Sequence, residues 1–286
     1  MSESQPSRAE ALKQLLRTIE IPSCPSVLVE LRGLLSRPDS NLQEIARVTA
    51  QDVGLAASLL KVANSPFFGL PQKVDSVAQA VSVLGLAAVS TISAGVLLKN
   101  RLGGAARAEL DRFWDNCSRI ALICARVARE VRGLPTDVAY TYGLFQNAGI
   151  AVLTKRFPDY AATLARAAQD PGLAVTTVED ELHSTNHAVI GYLLTRSWGL
   201  SEQISQAVLV HHDFKIFRPD AEPRAVASRQ LVAVGTLAAH FLGAYLKQPD
   251  DSDWIRGGKV VQEFLDLSNT ELLDLREYCF EELDLA

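Results

Sequence analysis

The sequence predicts an all-α protein, and three observations support this prediction. Apolar residues recur at helical spacing along most of the chain, and no stretch keeps the apolar–polar alternation typical of strands. Capping residues and prolines repeatedly punctuate these segments. In the segment 138–153, only Thr141, Gln146 and Asn147 interrupt apolar or small residues. A helix that is apolar on every side is buried, so we expect this segment to form the centre of the fold.

We predict that this central helix runs without a break from about Pro135 to Arg156, with Pro158 after its end. Adjacent residues of a helix point about 100° apart. At least one of the two amides, Gln146 or Asn147, should therefore face the interior and need a hydrogen-bond partner there.

The shorter helices predicted before the central helix include, after a helical segment at 11–19, those at 27–35, 41–49 and 53–63. Asn41 and Asp52 are suited to cap the last two of these. A loop with proline at both ends and glycine within follows. We expect Asn64 to close the preceding helix, and Phe67 and Phe68 to fill a gap in the packing.

The segment 80–98 carries no charge and is nearly as long as the roughly 20 residues that span a bilayer. It contains several hydroxyl side chains and is interrupted by Gly85, and no basic or aromatic residues flank its N-terminal side. The sequence therefore predicts two buried helices that meet at Gly85, with no membrane insertion.

A long amphipathic helix is predicted from about 106 to 131, with Arg112, Arg119 and Arg126 at seven-residue spacing. The stretch 250–286 is strongly acidic. We expect these basic and acidic faces to be solvated and to pair within the chain. Nucleic-acid binding is not expected, because no aromatic residues interleave with the arginines.

Later helices are predicted at 160–168, 177–197, 201–212, 230–246 and 257–267, with a last helix that begins at Ser268. The second of these would carry His183 and His187, and the third would end at His211 and His212. The residues between the third and fourth of these helices contain two prolines and are predicted to form a long loop.

Composition places the chain among ordinary globular proteins. Its 286 residues are 48% hydrophobic, enough for a sizeable core. A net charge of −5 argues against a protein that coats nucleic acid or an anionic membrane. The four cysteines form no CxxC pair and the N-terminus lacks the apolar core of a signal peptide, so we expect a cytoplasmic protein.

Histidines are the strongest candidates for a functional site. His183 and His187 are four residues apart, a spacing that would place both on one helical face, and His211 and His212 form a second cluster. The zincin motif is excluded because Ser184 stands where it needs glutamate. Carboxylates that could complete a site are Glu179, Asp180, Glu181 and Asp213. On spacing alone, we favour His187 and one of His211 or His212 as hydrogen-bonded core or groove histidines over a metal site.

Two segments carry a resemblance to a known family. The sequence GLFQNAGI at 143–150 resembles the GLLHDIG segment of the HD superfamily of metal-dependent phosphohydrolases, with Gln146 and Asn147 in place of its His–Asp pair. The sequence FWDNC at 113–117 is similar to the FWxHS signature, with Asn116 at the first histidine ligand.

The histidine-containing segments extend this resemblance. His187 lies in a segment similar to the family's E…H…vG pattern, and Trp198 followed by His211 and His212 is similar to WxLP…HH. The N-terminal half resembles the pattern lP…DPxLxxxLLxxaNSxxfg…AixxLG. The chain is thereby identified as a member of the HDOD family, an HD-related regulatory domain in which the metal-binding pair is typically degenerate.

The resemblance implies an HDOD-like domain with an N-terminal helical bundle packed on an HD-like helical half, followed by a C-terminal helical extension. The expected divisions are a flexible segment 1–10, the domain 11–215 with its halves 11–103 and 104–215, and a loop with helical extension at 216–286.

The positions that resemble the four HD metal ligands hold Asn116, Gln146, Asn147 and Ala239. Hard divalent cations prefer anionic oxygen, which these residues do not supply. We therefore expect no catalytic residue, no metal and no cofactor at these positions. The retained histidines, which could hold a ligand or a residual metal, are His183, His187, His211 and His212.

These inferences predict a non-enzymatic regulatory or signal-transduction module that acts by binding a partner, for which a protein is expected, or a ligand. Two alternatives remain open. One is a divergent metal-dependent phosphohydrolase of the HD type that uses the retained histidines. The other is a nucleotide second-messenger sensor that binds its ligand without hydrolysis. Sequence does not define the partner or the oligomeric state.

Overall fold

A computed structural model describes residues 19–37, 41–64, 70, 72–102, 107–222, 227–249 and 251–285. These residues form fourteen α-helices and one 3-10 helix, and none of them lies in a strand. The all-α prediction is confirmed. The predicted segment 1–10 and the aromatic pair Phe67 and Phe68 lie outside the described residues.

The helices of the N-terminal part are α1 (Ser26–Leu35), α2 (Leu42–Thr49), α3 (Val53–Ala63), α4 (Val77–Leu102), α5 (Arg107–Ala128) and α6 (Thr136–Phe145). Those that follow are α7 (Ala148–Arg156), α8 (Tyr160–Ala167), α9 (Val175–His183), α10 (His187–Ser197) and α11 (Glu202–Val210). The last are a 3-10 helix (Phe214–Phe217), α12 (Arg229–Tyr245), α13 (Ser252–Phe264) and α14 (Asn269–Leu285).

These helices belong to two compact units. Among the described residues, the first unit comprises those between Ser23 and Leu144 and those from Leu265 onward, and the second comprises those before Ser23 and those between Phe145 and Phe264. Helices α13 and α14 therefore belong to different units, although they are consecutive in sequence. The domain boundaries expected from the sequence stay a prediction.

Local capping chemistry sets the helix ends of the first unit. The Asn41 side chain accepts a hydrogen bond from the backbone of α2, and Asp52 Oδ1 accepts one from Leu55 N at 2.9 Å. Asn64 closes α3, since its amide donates to Leu60 O at 2.9 Å and also pairs with the backbone of Val74. The expected structural role of Asn64 is thus confirmed.

Gly85 bends α4 as the sequence predicts. Its backbone has φ 76° and ψ 163°, in a region that glycine adopts without steric cost. The two parts, Val77–Leu86 and Ala88–Leu102, meet at 109°. Among the described residues, no single helix is both long and apolar enough to cross a membrane, and this bent pair meets that requirement only by length and composition.

The basic and acidic faces pair within the first unit, as expected. Arg126 on α5 lies 3.5 Å from Glu282 on α14 and also contacts Glu130, which follows the end of α5. Arg126 also lies over the ring of Tyr278. These contacts join the C-terminal helix to the long arginine-bearing helix.

The central helix differs from its prediction. The structure breaks the predicted continuous helix at Gln146 and Asn147, which form a turn between α6 and α7. Gln146 is buried at 3% exposure and Asn147 is half-buried. The expectation that one of the two amides faces the interior is correct, but the uniform apolar pattern did not reveal the turn. The boundary between the two units, between Leu144 and Phe145, lies next to this turn.

The predicted helix 177–197 is likewise two helices. Helix α9 begins at Val175 and ends at His183, because Ser184 adopts a left-handed conformation with φ 56°. Asn186 then caps α10 by accepting a hydrogen bond from Val189 N at 3.0 Å. His183 and His187 therefore do not share one helical face, and that prediction was wrong.

Close backbone packing organises the second unit around α10. A Cβ atom on Gly149 of α7 would lie 2.0 Å from the carbonyl oxygen of His187, so α7 and α10 approach in a way that only glycine permits. A Cβ atom on Gly191 of α10 would lie 2.8 Å from Val208 of α11. Helix α10 is thus held closely between α7 and α11.

Candidate functional site

Three of the four candidate histidines meet in the second unit. Nε2 of His187 lies 3.3 Å from Nε2 of His211 and 2.9 Å from Nε2 of His212. The ligand nitrogens of the three residues all lie within 4.8 Å of one another. His187 is 1% exposed and His211 is 5% exposed, so the group is shielded from water. We refer to these three residues as the histidine cluster.

Helix ends bring the cluster together. His187 is the first residue of α10, placed there by the Ser184 break and the Asn186 cap. His211 and His212 directly follow the last residue of α11. Because α10 and α11 pack closely through Gly191, the start of one helix meets the end of the other. The sequence spacing suggested these residues, but it paired His187 with His183, whereas the structure brings His187 to His211 and His212.

Glu179 of α9 fixes the orientation of His187. Its carboxylate accepts hydrogen bonds from His187 Nδ1 at 2.8 Å and from the His187 backbone N at 3.0 Å, and Tyr160 also donates to it. Burial opposes ionisation of Glu179, but the nearby His187 and these hydrogen bonds outweigh it, so its pKa is lowered. Glu179 is therefore an anion with no exposed surface.

His211 is held by a backbone carbonyl. Its Nδ1 donates to Val208 O at 2.7 Å, which places the proton on Nδ1 and leaves a lone pair on Nε2. Burial lowers the pKa of His211 well below its ordinary value, and positive charge on His212 or His187 would lower it further. The ring is neutral at physiological pH.

His212 contacts two charged residues of α13. Its Nδ1 lies 2.6 Å from Asp253 Oδ2, and its carbonyl oxygen accepts a bond from Arg256 at 3.2 Å. Burial opposes ionisation of Asp253, but His212 and other nearby cations outweigh it and lower its pKa. Sequence reasoning missed Asp253 and Arg256, because a separation of some forty residues leaves no local spacing signal.

His183, the fourth candidate, lies apart from the cluster. Its Nε2 pairs with Thr163 Oγ1 at 2.8 Å, and its ring stacks on Phe157 at 4.3 Å between centroids. His183 is thus a hydrogen-bonded core histidine.

The other predicted carboxylates have partners of their own. Asp180 accepts a bond from Asn186, Glu181 pairs with Arg166 at 3.2 Å, and Asp213 caps the 3-10 helix at Lys215 N. Of the four carboxylates suggested by sequence, Glu179 is the one whose described contacts reach the histidine cluster.

The positions aligned with the HD metal ligands are distributed over both units. Asn116 is half-buried on α5 in the first unit. Gln146 and Asn147 form the turn before α7, and Ala239 is half-buried on α12, all three in the second unit. Their assignment as degenerate metal positions stays a prediction.

The geometry of the cluster allows two kinds of chemistry. Imidazole nitrogens that face one another can share a proton, or they can bind a cation together. In either case Glu179, Asp253 and the Val208 carbonyl orient the rings from outside, as the outer partners of ligating histidines do in proteins.

The fold and the retained histidines define an all-α protein of the HD-like class. The sequence model of the HDOD domain matches residues 21–214. The chain belongs to the HDOD family, as its motifs indicated. A protein of Treponema pallidum (strain Nichols), named only as uncharacterized, is 27% identical over 203 residues. That match covers 69% of this chain and 38% of the relative, so the chain spans well under half of its length.

Solved structures support the same fold. A Marinobacter aquaeolei VT8 protein whose name proposes a role in signal transduction superposes with a TM-score of 0.71 at 20% identity, covering 97% of this chain and 64% of that one. A Shewanella amazonensis SB2B protein whose name proposes a phosphohydrolase superposes with a TM-score of 0.69 at 23% identity, covering 95% of this chain and 98% of that one. A Geobacter sulfurreducens HDOD domain protein of unknown function superposes with a TM-score of 0.66 at 20% identity, covering 96% of this chain and 98% of that one. At these identities the likeness establishes the fold alone.

Proposed function

We propose that this chain is a regulatory module that acts by binding a protein partner, and that it does not hydrolyse phosphoesters at the ancestral HD site. One observation carries the proposal. The positions aligned with the HD metal ligands hold the uncharged residues Asn116, Gln146, Asn147 and Ala239. The signal-transduction name of the Marinobacter relative is in keeping with this role.

The physical argument concerns charge. A hard cation such as Mg²⁺ gives up bound water only where anionic oxygens replace it. Neutral amides and a methyl group do not supply that charge, so an HD-type metal centre would be too weak to activate water. Burial of Gln146 also withholds solvent that could complete the coordination shell.

A hydrolysis assay tests the negative half of the proposal. Purified protein is incubated with bis(p-nitrophenyl) phosphate, nucleoside triphosphates and cyclic dinucleotides in Mg²⁺, Mn²⁺ or Zn²⁺. We expect no turnover above that of buffer containing the same metal. Turnover that co-elutes with the protein and is lost in a folded Gln146→Ala variant would overturn the proposal.

Partner binding tests the positive half. The protein is used as bait in the native organism, and any candidate is then purified and titrated directly. We expect saturable one-to-one binding that survives removal of nucleotides and metal. Failure of every purified candidate to bind would contradict a regulatory role through protein partners.

A metal-dependent phosphohydrolase remains a second candidate, and the histidine cluster is the observation that favours it. Three imidazoles with a fourth coordination position open are a set that catalytic zinc sites use to activate water. Hydrolysis abolished by His211→Gln but retained by Gln146→Ala would favour this function over the regulatory one.

A further inference from the structure

We propose that His187, His211 and His212 bind one divalent transition-metal ion of the Zn²⁺ type through their Nε2 atoms. This inference goes beyond the proposed function and does not rest on it, because such an ion could stabilise a regulatory module or serve a hydrolase. It concerns residues outside the four positions that resemble the HD metal ligands.

The first step is the placement of protons on two of the rings. Nδ1 of His187 faces the Glu179 carboxylate and Nδ1 of His211 faces the Val208 carbonyl, and both of these groups accept hydrogen bonds only. Each Nδ1 therefore carries the proton. A neutral ring then has its lone pair on Nε2, directed into the cluster.

Nδ1 of the third ring also faces a carboxylate, in an ion-pair contact rather than a hydrogen bond. Nδ1 of His212 lies 2.6 Å from Asp253, a carboxylate that also contacts Arg256. A proton on Nδ1 satisfies this ion-pair distance, and Nε2 of His212 then faces Nε2 of His187 at 2.9 Å. The Nε2 atoms of His211 and His212 thus both lie close to Nε2 of His187.

Converging lone pairs in a buried region need a positive charge between them. One proton can bridge the pair that is 2.9 Å apart, but it leaves the lone pair of His211 without a donor. A metal ion satisfies all three nitrogens together. Tetrahedral coordination at a Zn–N distance of about 2.05 Å places nitrogens about 3.3 Å apart, and the His187–His211 separation is 3.3 Å.

The ligand type selects the class of ion. Neutral imidazole suits Zn²⁺, Co²⁺, Ni²⁺ and Cu²⁺, whereas Mg²⁺ and Ca²⁺ require oxygen ligands. Glu179 and Asp253 contribute negative charge from outside the ligand shell, as carboxylates do in carboxylate–histidine–zinc arrangements. The cluster therefore has both the ligands and the supporting groups of a transition-metal site.

His183 provides an internal comparison. It belongs to the same unit and is also buried, yet its Nε2 is satisfied by the Thr163 hydroxyl and no second imidazole faces it. A histidine that serves packing alone has that kind of environment. The cluster differs because Nε2 of His187 faces the Nε2 atoms of both His211 and His212, and no hydroxyl or carbonyl contacts these three atoms in the described part of the chain.

The test uses protein without a histidine tag, stripped of metal by a chelator. Zn²⁺ is titrated by calorimetry, with Mg²⁺ as control, and Co²⁺ by absorption spectroscopy. We expect one Zn²⁺ per chain and no binding of Mg²⁺. The Co²⁺ complex should show the visible bands of four-coordinate cobalt without a thiolate charge-transfer band, because no cysteine is among the proposed ligands.

Variants locate the ion. His211→Gln and His212→Gln should each lose stoichiometric Zn²⁺, whereas His183→Gln should bind as wild type does. Asp253→Asn keeps all three ligands and should weaken affinity about 10- to 100-fold. Wild-type protein that binds no stoichiometric Zn²⁺ or Co²⁺, a thiolate band, or binding unchanged in both His211→Gln and His212→Gln would overturn the inference. If a ligand variant does not fold, the cobalt spectrum of the wild type and the zinc affinity of Asp253→Asn still test whether the histidine cluster binds the ion. These results are independent of the partner assay, whereas a cluster that binds no metal would also remove the basis of the second, hydrolytic candidate.

Discussion

Glu179 holds His187 at two points, accepting one hydrogen bond from its ring Nδ1 at 2.8 Å and another from its backbone N at 3.0 Å. His187 is the first residue of α10, where backbone N–H groups lack partners within the helix. A single buried carboxylate therefore caps a helix and orients an imidazole. The stability of the second unit and the geometry of the histidine cluster depend on the same side chain.

Glu179→Gln tests this double role. Glutamine offers one acceptor oxygen to the three donors from His187 and Tyr160, and its NH₂ group must face one of those donors. At least one buried donor is left unsatisfied, so we expect the free energy of unfolding in urea to fall by about 1–3 kcal/mol. The matched control is Glu181→Gln, which removes an exposed pair with Arg166 and should cost below about 1 kcal/mol. Equal losses would show that Glu179 has no special role.

Gly149→Ala tests the close approach of α7 and α10. The added methyl group would lie 2.0 Å from the His187 carbonyl oxygen, a backbone atom that cannot move aside as a flexible side chain could. We expect a loss of about 1–3 kcal/mol or more in unfolding free energy. In Gly33→Ala, the new methyl group of α1 meets nothing within 4 Å and should stabilise the protein by about 0.5–1 kcal/mol. A neutral Gly149→Ala would mean that the two helices can separate freely.

Elements governed by local chemistry could be predicted from the sequence. The bend at Gly85, the caps at Asn41 and Asp52, and the closure of α3 by Asn64 all follow from the residue at the position itself. Each depends on a conformational preference or on a hydrogen bond within a few residues. Such signals survive in any tertiary context.

Breaks inside apolar helices could not be predicted in the same way. The turn at Gln146 and Asn147 carries no proline or glycine of its own, and its neighbours continue the apolar pattern on both sides. The break after His183 did leave a signal, because Asn186 is a preferred capping residue and Ser184 tolerates the left-handed region better than a branched residue would. Tertiary packing, not helix propensity, decides these boundaries.

The candidate site was predicted in part for a related reason. The histidines were found because two of them are adjacent and a third lies within a family motif. Asp253 was missed because it reaches His212 from a helix that is distant in sequence, and only the folded chain brings them together. Outer partners of a site carry no fixed spacing, so sequence pattern alone does not locate them.

Comparison of two buried tryptophans measures how much one hydrogen bond contributes to stability. Trp198 Nε1 donates to Pro22 O at 2.7 Å, whereas Trp114 Nε1 is buried without a hydrogen-bond partner in the described chain. Trp198→Phe leaves a carbonyl unsatisfied, but Trp114→Phe removes an unsatisfied donor. We expect Trp198→Phe to lower the thermal midpoint more than Trp114→Phe does. The difference in unfolding free energy between the two variants should be about 1–3 kcal/mol. The reverse order would show that the Trp198 hydrogen bond does not contribute.

The turn between α6 and α7 allows a test of the two amides that replace the HD pair. Gln146 is 3% exposed, whereas Asn147 is half-buried and occupies the N-cap position of α7. Carboxylates at these two positions should therefore behave differently. Burial disfavours a charge at position 146. The helix dipole favours a negative charge at position 147.

In Gln146→Glu, burial should raise the folded-state pKa of the new carboxyl above its unfolded value of about 4.3. Well below pH 4 both states are protonated and the charge has no effect. As pH rises, the unfolded state releases its proton first, so stability relative to wild type falls until the pH passes the folded-state pKa, by about 1.4 kcal/mol for each unit of pKa difference. The stability of Asn147→Asp relative to wild type should not fall as pH rises. Urea unfolding of both variants and wild type at pH 4, 6 and 8 measures these differences. A pH-independent Gln146→Glu would mean that the side chain at position 146 reaches water.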